Sequence, residues 1–315
     1  MYDNLPSYFS QRYDPFCGSL PDIVAVIAGI KPLAELSLSP GKEESYQNFI
    51  KFIGKFGVHS VKYQFETERK KNIHCKKKGK GVLTRVYLSK SKKILDAYRF
   101  GDPEISLGDV SRPPKGKIAA LQRFAIDLGY PNCCVKSYLE NGQLNKISSY
   151  SRLPQGNRAP FYYNNFLHSI SNYYLSFHSP CSFNCQKTKV YNKKIFNAIK
   201  KNEPEFSERL RQILTMPIII WYNKSNFPLD DRIIVLFDGY IAKNTISYSK
   251  CHILKTDYPN NEMFSESIPK DLIYLRAGNK LVNTKLRVYV YKEEKLMHVI
   301  RKQSSFHGLL FNFHA

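Results

Sequence analysis

The sequence predicts a mixed α+β protein with an N-terminal α/β part, a helical middle that bears the cysteines, and a β-rich C-terminal part. Three observations carry this prediction. Apolar residues recur at helical spacing from about 118 to 214, short β-rich runs replace them from Met216 onward, and four of the seven cysteines sit in two patches within the helical stretch. The changes of pattern divide the chain into 1–110, 111–215 and 216–315. With 315 residues, 43% of them hydrophobic, the chain can bury a substantial core.

In chain order, Pro21 to Pro32 reads as a short buried strand or helix closed by a turn at Gly29 and Pro32. A helix is expected from about Glu43 to Phe56, then strands at His59 to Phe65 and Val82 to Leu88. Between these strands, Arg69, Lys70, Lys71, Lys76, Lys77, Lys78 and Lys80 occupy a segment with no acidic residue. It reads as an exposed hairpin or loop, serving either as a solvated connection or as a contact for phosphates.

In the middle, Ile118, Leu121, Ala125 and Leu128 share one helical face, and Gly129-Tyr130-Pro131 supplies the stop. Further helices are expected at Asn164 to Phe177, Val190 to Lys200 and Glu205 to Leu214, with Pro204 suited to a first turn. The remainder predicts strands at Pro217 to Tyr222, Arg232 to Phe237, Thr245 to Tyr248, Leu272 to Leu275 and Lys285 to Tyr291. Turns are expected at Asp238-Gly239 and Gly278-Asn279, giving an antiparallel sheet or partial barrel.

The apolar runs are too short to span a bilayer and the N-terminus lacks a secretion signal, so the expected location is the cytoplasm. Structural disulfides are rare there, and clustered cysteines point to metal or redox chemistry. The decisive stretches are Gly129-Tyr-Pro-Asn-Cys-Cys134 and His178-Ser-Pro-Cys-Ser-Phe-Asn-Cys185. A Cys-x-x-x-Cys spacing at a loop-to-helix junction brings two sulfurs together, and a helix N-terminus favours the thiolate that ligates metal. Cys133 and Cys134 are adjacent and normally point apart. In an irregular turn both could reach a cubane cluster, so a 4Fe-4S centre on Cys133, Cys134, Cys181 and Cys185 is expected, with zinc as the alternative. His178 is then a catalytic neighbour, as a proton carrier, an outer donor or a substitute ligand. The bland reading of the same thiols is ordinary core packing.

On these residues the chain resembles a prokaryotic family of uncharacterised proteins carrying GYPxCC followed by HxPCxxxC, with fainter similarity at Ile27-Ala-Gly-Ile-Lys-Pro32. The resemblance implies a shared site and names no reaction. The three-cysteine loop of radical S-adenosylmethionine enzymes is absent from the sequence, as are a Gly-rich phosphate loop, a serine nucleophile elbow and a dinucleotide fingerprint.

The first functional expectation is therefore an iron-sulfur-dependent transferase or redox enzyme, engaged in sulfur transfer or a related modification of a small molecule or nucleic acid. The second is a zinc-stabilised nucleic-acid-binding protein, for which the net charge of +22 would attract a polyanion. A metal-free interaction protein with a cysteine-rich core is the third.

Overall fold

The computed structural model describes residues 20–38, 41–68, 80–101, 117–141, 158–165, 173–222, 232–255, 270–302 and 307–315. Arg69, Lys70, Lys71, Lys76, Lys77 and Lys78 lie outside these residues, as do Cys17, His74, Cys75 and His168.

The N-terminal part runs α1 (Leu20–Ile27), β1 (Ala34–Leu38), α2 (Glu43–Gly54), β2 (His59–Glu68), β3 (Lys80–Ser89) and α3 (Lys92–Asp96). Its strands form an antiparallel three-stranded sheet in the order β1-β3-β2. Strands β2 and β3 pair along their length, from His59 opposite Ser89 to Glu68 opposite Lys80. Lys80, the last member of the basic segment, is thus the first residue of β3.

The middle follows with α4 (Ile118–Asp127), α5 (Asn132–Asn141), β4 (Arg158–Pro160), a 3-10 turn at Phe161–Tyr163, α6 (Gln186–Asn202) and α7 (Pro204–Thr215). Last come β5 (Ile218–Tyr222), β6 (Arg232–Ala242), β7 (Thr245–Lys255), α8 (Lys270–Ala277), β8 (Lys280–Asn283), β9 (Arg287–Lys292), β10 (Lys295–Arg301) and β11 (His307–His314). Together with β4 these strands build one eight-stranded sheet, ordered β10-β9-β8-β7-β6-β5-β11-β4. Every pairing is antiparallel except β11 with β4.

Around β5 and the first half of β6 the large sheet is buried on both faces, as the continuous apolar run Ile218-Ile-Ile-Trp221 requires. Ile218, Ile220, Ile234 and Leu236 join a core shared with α1, α6 and α7, while Ile219, Trp221, Val235 and Phe237 join a second core under α8. Helix α6 packs against both α1 and α7. The first core also takes Leu36 and Leu88 from the N-terminal sheet and Phe311 and Phe313 from β11, so all three segments of the chain meet in it.

Three local expectations are corrected. Residues 164–165 and 173–177 are not helical. Tyr173, Tyr174, Leu175 and Ser176 are consecutively buried, which an irregular segment threading the core permits and a one-faced helix does not. Leu272 to Leu275 belongs to α8, because Leu272 and Leu275 are buried while Ile273 and Tyr274 are exposed, a helical and not an alternating pattern. Asp238-Gly239 makes no turn; it is a β-bulge inside β6, where a β-carbon at Gly239 would collide with the Ser247 carbonyl oxygen.

Candidate metal centre

The chain reaches the first cysteine pair through a sharply ended helix. After α4, Gly129 takes a positive φ of 80°, and a β-carbon there would stand 3.1 Å from the side chains of Pro32 and Tyr191. Pro131 then opens α5, its carbonyl accepting from the backbone N–H of Cys134 (2.8 Å) and Val135 (3.0 Å). Cys133 and Cys134 therefore stand in a regular first helical turn, and not in the irregular turn expected from the sequence.

The second pair is set by a loop. Cys181 follows Pro180, and Cys185 is the N-cap of α6, its carbonyl accepting from the Lys189 N–H at 3.0 Å. The Tyr163 hydroxyl donates to the same carbonyl at 3.1 Å. Cys133, Cys134 and Cys185 thus lie at helix N-termini, where the backbone dipoles favour negative sulfur, while Cys181 stands in the loop before α6.

The four sulfurs lie within 4.8 Å of one another. Sγ of Cys185 is 3.7 Å from each of Cys133 and Cys134, which are 3.9 Å apart. Cys134 and Cys185 are buried, and Cys133 and Cys181 are half-buried. Such a set of soft donors can hold a metal ion.

The surroundings already differentiate the thiols. Burial pushes the Cys134 thiol far above its usual range, and burial together with neighbouring cysteines raises Cys181 to about 11. At Cys185 burial also opposes ionisation, but hydrogen bonds from the Thr188 hydroxyl and backbone, with those of Cys181 and Cys133, outweigh it and bring the thiol to about 7.

Thr188 links the sulfurs to the histidine. Its buried hydroxyl lies 3.2 Å from Sγ of Cys134 and 3.0 Å from Nε2 of His178. The backbone N–H of Cys181 donates to the same sulfur at 3.4 Å. His178 is itself buried. Its carbonyl accepts from Asn165 at 2.8 Å, and its Nδ1 has no hydrogen-bond partner among the described residues. Burial, reinforced by the charge of Lys31, lowers the His178 pKa to about 3, so in the metal-free chain the ring is neutral.

No family model, curated protein or solved structure matches the chain.

Two groups beside it were not anticipated from the sequence. Thr188 is one; the other is a buried ion pair between Lys31 and Asp22, whose second carboxylate oxygen accepts from the Tyr174 hydroxyl at 2.8 Å. Lys31 stands over the Tyr130 ring at 5.6 Å, and Tyr130 lies 5.1 Å from the His178 ring. The only hint of this arrangement in the sequence was the lysine ending the apolar Ile27 to Pro32 stretch. Cys251 is buried in the second core, and its neighbour His252 pairs with Asp238 at 3.1 Å. Tyr163, Tyr173 and Tyr174 are buried, in keeping with a packing role.

Proposed function

We propose that this is a zinc-stabilised nucleic-acid-binding protein, with one tetrahedral ion held by Cys133, Cys134, Cys181 and Cys185. The observation that carries the metal assignment is the sulfur spacing. Four sulfurs at about 2.3 Å from a single zinc stand about 3.8 Å apart in a tetrahedron, against 3.7 to 3.9 Å for the three pairs among Cys133, Cys134 and Cys185, with Cys181 within 4.8 Å of each of them. A cubane distributes its thiolates over four separate irons and needs them spread more widely. The same spacing therefore favours zinc over the iron-sulfur expectation.

A full set of four thiolates leaves no open coordination position, which is the arrangement of a structural and not a catalytic zinc. Helix α5 and the α6 N-terminus would be fastened together by it. Activity then falls to the surface, and the chain's excess of 48 basic residues over 26 acidic ones suits a phosphate-rich partner.

Anaerobic purification followed by zinc, iron and acid-labile sulfide analysis tests the centre. About one zinc per chain and no sulfide is expected; about four irons with four sulfides would replace this reading with an iron-sulfur protein. Titration of the zinc-loaded protein with labelled RNA and DNA tests the partner. Affinity is expected to fall steeply as salt rises, and absence of binding at low salt would refute the nucleic-acid assignment.

A further inference from the structure

Helix α6 begins at a cysteine of the metal centre and bears six lysines in 17 residues with no acidic residue. At about 100° of rotation per residue, these lysines fall into two rows, Lys187, Lys194 and Lys201 on one side and Lys189, Lys193 and Lys200 on the other. The midline between the rows is Gln186, Val190 and Asn197, all exposed, as are all the lysines except half-buried Lys189. Thr188, Asn192, Ile195, Phe196 and Ile199 bury the opposite face. None of the six lysines forms an ion pair among the described residues.

From this arrangement we infer that the exposed face of α6 is the surface on which nucleic acid phosphates bind, an assignment that rests on the nucleic-acid-binding reading above. Unpaired like charges in two rows repel one another along a helix, and a polyanion relieves that repulsion while releasing its own counterions. Successive lysines in the Lys187 row stand about 10.5 Å apart along the axis, at about 1.5 Å per residue, so the face can meet several phosphates at once. Lysine presents a point charge without the planar fork that reads bases, so recognition here is of backbone and not of sequence. An acidic membrane suits the face less well. Interfacial helices sink an apolar side into the lipid, whereas the apolar side of α6 lies in the core and Val190, 53% exposed, is the one large apolar side chain on its outer face.

The test uses the full zinc-loaded chain with Lys187, Lys194 and Lys201 all changed to Gln, which keeps helix propensity and removes three charges. Fluorescence anisotropy with labelled duplex DNA, single-stranded DNA and RNA is followed against salt, with circular dichroism and zinc content as checks on folding. The variant is expected to lose at least about tenfold in affinity at low salt. Its slope of log affinity against log salt should shrink by about two to three units on duplex, near 0.9 for each phosphate no longer neutralised. A second variant, Lys76, Lys77 and Lys78 to Gln, locates the binding surface. If it abolishes binding while the α6 variant binds as the parent does, the surface lies elsewhere and the inference is overturned. Tighter binding of the parent to phosphatidylserine vesicles than to any nucleic acid would also overturn it. A parent that binds no nucleic acid refutes the functional reading itself, whereas binding insensitive to the α6 changes refutes only the assignment of this face.

Discussion

Thr188 has one hydroxyl proton and three neighbours that could receive it, Sγ of Cys134, Sγ of Cys185 and Nε2 of His178. A metal-bound thiolate can only accept, so with a metal ion bound the proton would point to sulfur and the threonine oxygen would accept from a protonated Nε2. The imidazole would thereby be fixed as the Nε2–H tautomer. Outer partners of this kind set ligand orientation and the charge on sulfur. Thr188→Val should therefore weaken zinc binding about 10- to 100-fold in competition with a chromophoric chelator, while Thr188→Ser restores it. His178→Gln, which can offer an amide N–H where Nε2 stood, should bind more tightly than His178→Leu. Equal affinities across all four variants would show that the hydroxyl does not tune the sulfur. The cysteines were legible in the sequence because soft ligands gathered in two close patches point to metal or redox chemistry. Thr188 was not. A threonine three residues after Cys185 carries no pattern until the helix N-terminus turns it back towards Cys134.

At the scale of elements, α6 holds the centre through its buried face. Ile199 is fully buried in the first core, on the helix that packs against α1 and α7, and Ile199→Ala should cost about 2–5 kcal/mol in urea unfolding of the zinc-loaded protein. A cost below about 0.5 kcal/mol, the range of surface substitutions, would mean that α6 is not anchored as described. Lys302, between β10 and β11, gives a pH-dependent counterpart. Its ammonium donates to the Gly308 carbonyl at 3.2 Å beside Trp221, and burial lowers its pKa to about 8. The unfolded lysine titrates near about 10.4, so between the two values the unfolded chain binds more protons and stability rises with pH. Below pH 8 the cost of the half-buried charge is present in full. Lys302→Met should raise the melting temperature at pH 7 and flatten its dependence between pH 8 and 10, measured against the parent at each pH; parallel curves would contradict this. Element type was legible where periodicity was long, as in α6 and α7, and failed where the apolar run was short. Leu-Ile-Tyr-Leu at 272–275 is equally acceptable to a strand or a helix by composition, and only the burial of the first and last residues against the second core decides it. The segment 164–177 misled differently. Its Tyr173 and Tyr174 are buried on successive positions, with Asn164 and Asn165 tied by side-chain hydrogen bonds to the Leu214 and His178 carbonyls.

For the whole molecule, the mixed α+β class and the C-terminal sheet were legible because the hydrophobic period changes from helix-like to strand-like near Met216. The joining of the segments was not, since β4 pairs with β11 across some 150 residues of sequence and no local pattern encodes that partner. The consequence is cooperative. Cys134 and Cys185 belong to the same core as Leu36 from the first sheet and Phe311 from the last strand, so a metal ion bound at the sulfurs would be linked to the packing of all three segments. A ligand that binds only the folded state stabilises it by about 2.7 kcal/mol at a free concentration one hundred times its Kd. Removing zinc should therefore lower the midpoint of one calorimetric transition that includes both sheets, and a chain ended at residue 215, deprived of Ile218, Ile220, Leu309 and Phe311, should show no cooperative transition with or without zinc. Two separate transitions in the intact protein, with only one moved by a chelator, would instead mean that the C-terminal sheet folds independently of the metal and that the shared core contributes little to their coupling.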